Sequence, residues 1–246
     1  MESGEYETMA RLEGDYWWYR GLRALVRAAL QRELDGHGTL RILDDGCGTG
    51  GGMTDLGRTF GESLIVGADI AGLAVRSSAA QSVGPVVQAS ANSLPFRAGA
   101  FDTVVMADVL SDANVNADQA LAEARRVLKT GGVLVVNVPA FEWLRGVHDA
   151  AVHTIRRYRR PELEGLLRRH GFAARRVRYW NALLLPLAFA VRRIRRSGAT
   201  GPTSDLTALP RPLNELLVRT LAMERWLATR LDLPFGMSLI GIAIKP

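Results

Sequence analysis

The stretch "ILDDGCGTGGG", residues 42–52, decides the fold. A short apolar run ends in two aspartates, Asp44 and Asp45, and then in glycines at 46, 48, 50, 51 and 52. Glycines in this density let the backbone approach a ligand with no side chain in the way. The question is which ligand needs bare backbone with two carboxylates beside it. The flanking sequence places the loop. "TLRILDD" (39–45), "SLIVGAD" (63–69), "FDTVVMAD" (101–108) and "GGVLVVNVP" (131–139) are nearly continuous, β-branched apolar runs. Runs of that kind belong to strands buried on both faces of a parallel sheet. Between them, "NADQALAEARRVLKT" (116–130) sets Ala117, Ala120, Leu121, Ala124, Val127 and Leu128 on one helical face, and Gly131 and Gly132 then predict its end. Strand alternating with helix predicts an α/β, doubly wound, mostly parallel sheet whose ligand lies beyond the carboxyl ends of the strands, where the glycine run falls.

Composition bounds the answer. The 246 residues, 48% of them hydrophobic, can fill the core of one large domain. Cys47 is the only thiol and sits inside the glycine run, which excludes an intrachain disulfide framework and a cysteine metal cluster. The opening "MESGEYETMARLEGDYWWYRG" is acidic where a signal peptide starts basic, and no uninterrupted apolar run reaches ~18 residues. A cytoplasmic setting is the expectation. The formal charge of +6 is unevenly placed, with arginines crowding between Arg156 and Arg196 in "RRYRR", "RRH", "RRVR" and "RRIRR". A solvated surface is the plain reading of such a face, and an anionic substrate, membrane surface or RNA is the functional one. Nucleic acid is not favoured as a partner.

Three ligand classes use glycine loops. Gly46, Gly48 and Gly51 satisfy the dinucleotide spacing, with Asp69 roughly 20 residues downstream. A phosphate-binding loop is excluded, because no Gly-Lys-Ser/Thr follows to hold a β/γ-phosphate and magnesium. The carboxylates weigh against a dinucleotide, since Asp44 and Asp45 would repel a pyrophosphate and attract an ammonium group. A cationic, phosphate-free nucleoside fits best.

S-adenosylmethionine has that chemistry, and "LDDGCGTG" (43–50) resembles the first motif of the class I S-adenosylmethionine-dependent methyltransferases. The resemblance runs on through Asp69 in "VGADIA", "LPFRAGAFDTVV" (94–105) and "EARRVLKTGGVLVVNVP" (123–139), about residues 40–140 in the family's order. "LEGDYWWYRGLR" and "HDAAVHTIRRYRRPEL" (148–163) resemble a bacterial small-molecule subgroup with an early W-W-F/Y-R and a late H-D…R-R-Y. The resemblance implies seven strands with the last one antiparallel. It also implies a cofactor site in which Gly46, Gly48 and Gly50 form the turn under the methionine moiety, Asp44 is an acidic group beside it, and Asp69 clamps the ribose. Cys47, Ile70, Ser90, Ala91, Asp108 and Leu110 complete the implied cofactor contacts, with S-adenosylhomocysteine as product. Taken by itself, Asp69 has helix capping as its lesser reading, and Cys47 reads as a small loop filler. Two departures stand out. "ASANSLPF" has Ser90 where the family carries an adenine-binding aspartate, and "LSD" has Ser111 and Asp112 in place of a glutamate and a histidine.

Methyl transfer is an in-line displacement at a carbon already activated by sulfonium, so the protein chiefly aligns a nucleophile and excludes water. Where the acceptor needs a base, His148, Asp149 and His153 form the compact His/carboxylate cluster, and the i, i+4 spacing of Asp149 and His153 would pair them on a helix. Tyr158 completes the catalytic candidates. Arg156 and Arg157, with Asp112, Tyr16, Trp17 and Trp18, are the candidate substrate contacts; the arginines would recognise an acidic substrate group. Four histidines at 37, 148, 153 and 170 supply no convincing metal site.

The expected organisation is one domain over 1–246, with a helical lid at 1–36, a substrate-side insertion at 140–170 and a helical cover at 181–232. "LRALVRAALQREL" (22–34) predicts the lid helix. "YWNALLLPLAFAVRRIRR" (179–196) reads as a buried strand end leading into a covering helix, in preference to membrane contact. A loop (197–212), a helix near 213–231 and the strand "SLIGIAIK" (238–245) follow. The function expected is methyl transfer to a small, specialised-metabolite acceptor. Ring closure using the sulfonium, and a non-catalytic or membrane-associated lipid-glycan role, are the alternatives.

Overall fold

The apolar runs become strands of one seven-stranded sheet in the computed structural model, which describes residues 3–36, 38–81, 83–186 and 209–246, without the side chains of 3–7, 147 and 148. In chain order the elements are α1 (Ser3–Leu12), α2 (Trp17–Glu33), β1 (Arg41–Asp45), α3 (Gly51–Phe60), β2 (Leu64–Asp69), α4 (Gly72–Ala80), β3 (Val86–Gln88) and β4 (Phe101–Ala107). They continue with α5 (Ala117–Val127), β5 (Leu128–Pro139), α6 (Val147–Ala151), α7 (Arg160–Arg169), β6 (Ala173–Trp180), α8 (Arg211–Leu227) and β7 (Ser238–Ile244). The strand order is β3-β2-β1-β4-β5-β7-β6. Only β7 runs against its neighbours, pairing antiparallel with β5 and β6, as the resemblance implied.

Alternation along β1 divides the core. Ile42 packs with Leu22, Val26 and Leu30 of α2 and Leu217 and Leu221 of α8, whereas Leu43 packs with Leu121 of α5 and Leu163 of α7. The same alternation sends Asp44 and Asp45 to opposite faces of the sheet. Leu121 is wholly buried, and its truncation to alanine would cost about 2–5 kcal/mol. The order of the strands reverses between β1 and β4, and that switch point opens the crevice where ligands of such sheets bind.

Element boundaries depart from the sequence reading. The helix expected over 116–130 starts on Asn116, whose side chain accepts from the amides of Asp118 and Gln119, but it ends at Val127. Leu128 instead pairs with Phe101 of β4, and Gly131, at φ +78°, turns the chain inside β5. Pairing across the sheet outweighs three residues of helical propensity. The last helix is shifted toward the N-terminus of its expected span, and α1 is an element that periodicity did not reveal. Tyr179 and Trp180 form the expected buried strand end. Residues 187–208, which include most of the expected cover and loop, lie outside the described residues.

Candidate functional site

The β1–α3 loop is built for close approach. Gly46 and Gly48 have φ of +83° and +52°, and the amides of Gly46 and Cys47 both donate to the Ala68 carbonyl, at 2.8 and 3.0 Å. A Cβ on Gly46 would come within 2.4 Å of Val109 Cγ2, and one on Gly48 within 2.7 Å of Met9 Cε. Backbone strain disfavours a side chain at both positions, and at Gly46 the contact with Val109 adds to it. Asp69, at the carboxyl end of β2, locks the loop to the next crossover: Oδ2 accepts from the Gly48 amide at 3.0 Å and Oδ1 from the Ala71 amide at 2.9 Å. The cap of α4 is Ala71, so Asp69 is not a helix cap.

Loop, strand ends and α2 enclose a cavity of 390 Å³, a volume suited to a small ligand. Of the cofactor contacts implied by sequence, Asp44, Gly46, Cys47, Gly48, Asp69, Ile70, Ser90, Ala91 and Asp108 line it; of the substrate contacts, Tyr16, Trp17, Trp18, Asp112 and Arg157 do. A wider cleft of 720 Å³ lies at the amino ends of the strands, where Lys129 Nζ and the Arg41 amide already engage Asp102 at 2.6 and 2.9 Å. Lys129 and Asp102 neutralise each other there, and the cleft lies on the side of the sheet opposite to where α/β ligands bind.

Electrostatically the cavity is acidic. Burial, with Asp69 and Glu13 nearby, pushes Asp44 up to about 7; burial beside Asp44 and Asp69 does the same to Asp45. Asp69 is raised by burial and lowered in part by its two amide bonds. Burial also raises the Cys47 thiol, so the residue is an inert filler of the loop. Asp108 follows β4 in left-handed conformation, at φ 62°. Burial pushes its carboxyl up to about 7, against the Asn137 hydrogen bond and the charge of Arg157. Asn137 fixes it from behind: Trp180 Nε1 donates to Asn137 Oδ1, and Asn137 Nδ2 donates to Asp108 Oδ1, both at 2.8 Å. Trp180 is in turn stacked on Trp18, with ring centroids 4.8 Å apart.

Several expected site residues lie elsewhere. Leu110 is buried in the core, where its carbonyl accepts from Tyr158 OH at 2.8 Å. Tyr158 is itself wholly buried, so its hydroxyl is a structural tie and not a catalytic group. Arg156 stacks over the Tyr158 ring at 4.6 Å and is not part of the cavity wall. The expected pairing of Asp149 with His153 does not form. Helix α6 ends at Ala151 and His153 sits at φ 55° beyond it, while both Asp149 oxygens are taken by Arg157 at 2.9 Å. The Arg157 guanidinium, expected to read an acidic substrate, is thereby neutralised in the wall. Ser111 turns away as well, donating to the Asp108 carbonyl at 2.9 Å. The side chains of His148 and, with its whole residue, of His37 lie outside the described residues.

Glu13, Arg23, Asn137 and Trp180 are site residues that the sequence reading missed. Glu13 and Arg23 lie in the cavity wall, and Arg23 donates to the carbonyls of Glu13 and Gly14 at 2.7 and 3.0 Å. Signals existed: Arg23 interrupts the stripe of Leu22, Val26 and Leu30, and Asn137 is the polar residue in the apolar run 133–139 of β5, where a buried amide requires partners.

Comparison with known proteins agrees with this geometry. Residues 43–136 match a family model described as a methyltransferase domain. An uncharacterized protein of Methanocaldococcus jannaschii is 30% identical over 144 residues, 56% of this chain and 53% of that protein, so the chain spans about half the length of the curated relative it matches. Among solved structures, the methyltransferase-like chain of a complex with the Haloferax volcanii Trm112 methyltransferase activator has a TM-score of 0.63 at 18% identity, covering 99% of this chain and 93% of that one. The [4+2]-cyclase SpnF gives 0.62 at 20%, covering 99% and 94%. Geranyl diphosphate C-methyltransferase from Streptomyces coelicolor A3(2), solved with Mg2+, geranyl diphosphate and S-adenosyl-L-homocysteine, gives 0.61 at 16%, covering 92% and 80%. The shared feature is the fold.

Proposed function

From a chain that carries a methyltransferase domain over residues 43–136 on the fold of the class I S-adenosylmethionine-dependent enzymes, we propose that the protein binds S-adenosylmethionine in the 390 Å³ cavity and transfers its methyl group to a small-molecule acceptor. The observation that carries the reading is Asp69. Its two oxygens each accept one loop amide, which holds the carboxylate still at the end of β2 and leaves further lone pairs to accept from two ribose hydroxyls. The residues present fit the group. The bare Gly46–Gly48 turn admits backbone contact with the methionine moiety, Asp44 and Glu13 suit its ammonium, and Ser90 can hydrogen-bond the adenine edge through its hydroxyl.

Bound there, the sulfonium supplies an activated methyl carbon, and the chain's task is to bind, orient and keep water out. Trp17 and Trp18 wall the acceptor side. Asn137, held by Trp180, fixes the Asp108 carboxylate at the carboxyl end of β4. His148 is the candidate base for an acceptor that must lose a proton.

Calorimetric titration tests binding: S-adenosylmethionine or S-adenosylhomocysteine should bind and NAD should not compete. Micromolar NAD binding with no response to S-adenosylmethionine would overturn the reading. Labelled methyl groups then separate methyl transfer, in which label moves to a second molecule, from ring closure and from cofactor binding without turnover.

A further inference from the structure

We propose that the acceptor is a cation, an amine held between the Trp17–Trp18 wall and the carboxylates of Asp108 and Asp112. The inference rests on the methyl-transfer reading and names its substrate class.

The arginine-rich sequence of the 140–170 segment suggests the opposite charge, and the fold reverses that suggestion. Among the described residues, Arg157 is the cation this segment contributes to the cavity wall, and its charge is already matched: Nε and Nη2 bind both oxygens of Asp149 at 2.9 Å, and Nη1 donates to the Ala140 carbonyl at 2.9 Å. Its side chain is only 7% exposed. With three of its five N–H donors engaged and its charge matched by Asp149, this buried guanidinium brings no net positive charge to a substrate carboxylate or phosphate.

Arg157 apart, the charged side chains that β2 and the elements after it give the described wall are acidic, and the wall's other arginine, Arg23 of α2, donates to the carbonyls of Glu13 and Gly14. On Asp108, the hydrogen bond described is the one to Oδ1, from Asn137. The other oxygen is left for a ligand. On Asp112, Oδ1 accepts from the amide and the side chain of Asn114, at 2.8 and 3.0 Å, and the residue is half-buried in the same wall. Asp45 deepens the field. It lines the cavity, is 1% exposed, and its Oδ2 has no hydrogen-bond partner among the described residues. Beside an anionic or merely hydroxylic acceptor, burial holds Asp45 and Asp108 toward their protonated forms, and the ligand gains nothing from their charge. An ammonium compensates them, and it also gains from the faces of Trp17 and Trp18. Those rings are fixed for the purpose: Trp18 stacks on Trp180 at 4.8 Å, and Trp17 meets Trp18 edge-on at 6.0 Å.

Three probes that share one ring and one chain length, phenethylamine, phenethyl alcohol and 3-phenylpropionate, test the charge preference by NMR on protein loaded with S-adenosylhomocysteine. Phenethylamine should bind at least ~10-fold more tightly than either other probe. Asp112→Asn should erase most of that preference without moving S-adenosylhomocysteine affinity or the melting temperature, and Asp108→Asn, which keeps the Oδ1 acceptor for Asn137, should erase it as well, the preference being read as the ratio of amine to alcohol binding within the same variant. Equal binding of the three probes, tighter 3-phenylpropionate, or no phenethylamine binding overturns the proposal. Failure of S-adenosylhomocysteine to bind the wild type would instead sink the methyl-transfer reading. The probe series on the unloaded protein would still decide the charge of the site.

Discussion

Arg157 and Asp149 form a two-pronged ion pair buried in the cavity wall, Nε to Oδ1 and Nη2 to Oδ2, both at 2.9 Å. The side chains are 7% and 4% exposed, and Asp149 Oδ2 also accepts from the Gly146 amide at 2.7 Å. The pair ties α6 to the chain entering α7 and so holds the segment carrying His148 against the carboxyl edge of the sheet. Removing one partner strands the other charge away from water. Arg157→Met should therefore lower stability by about 3–5 kcal/mol, and Asp149→Asn combined with Arg157→Met should recover part of the loss. Denaturant unfolding measures both; a loss under about 1 kcal/mol for Arg157→Met would show that the pair is not desolvated.

Asp69 is the residue that carries the proposed cofactor site. Asp69→Ala should weaken S-adenosylmethionine binding by about 2–4 kcal/mol, from two charge-assisted bonds of about 1.5–3 kcal/mol each before compensation. Because the side chain also accepts the Gly48 and Ala71 amides, a modest fall in melting temperature should accompany it. Calorimetry and thermal unfolding, run together, decide: unchanged affinity with a sharp drop in melting would make Asp69 a purely structural tie.

Three carboxyls, Asp44, Asp45 and Asp108, sit at about 7 in the folded chain against 3.8 for an ordinary aspartate. Between those pH values the folded state holds more protons than the unfolded one, so its stability declines as pH rises. The ligand-free protein should be most stable below about pH 4 as far as these groups decide it, lose stability from about pH 4 to 7, and level off above. Asp45→Asn should raise stability at pH 8 by at least about 1 kcal/mol, since a tenfold change in proton affinity is worth about 1.4 kcal/mol, and change little at about pH 3.5, below both values. Equal effects at the two pH values would contradict the assignment.

For the chemistry, His148→Ala should lower turnover ~100-fold or more and leave cofactor affinity intact. Where the chemical step limits, the wild-type rate should rise with pH through the histidine range near ~6.5, and the variant should lose that inflection. A variant with wild-type turnover and the same profile removes His148 from the mechanism.

The relay behind Asp108 has its own signature. Trp180→Phe keeps the stack on Trp18 and deletes the donor to Asn137 Oδ1. The buried amide oxygen is left unpaired, at a cost of about 1–3 kcal/mol. Phenethylamine affinity should fall with it while S-adenosylhomocysteine affinity holds. Loss of both in parallel would point to collapse of the wall instead.

The sequence by itself determined the sheet, the glycine loop and the position of Asp69 at the end of β2. Buried parallel strands need continuous apolar runs, a close-approach loop needs glycine, and both demands are local and leave visible letters: "RILDD", "GCGTG" and Asp69 could be read without a partner. Tertiary structure alone decided the acceptor end. Whether Arg157 reads a substrate or neutralises Asp149 depends on where α6 stops, and whether Tyr158 is catalytic depends on Leu110 lying above its hydroxyl. Leu128 shows the same limit in the core, since its pairing with Phe101, 27 residues away, ended a helix that its own neighbours favoured. Charge partners and burial are set by residues distant in the chain. An arginine-rich segment can therefore look like an anion site in sequence and fold into the wall of a cavity that selects cations.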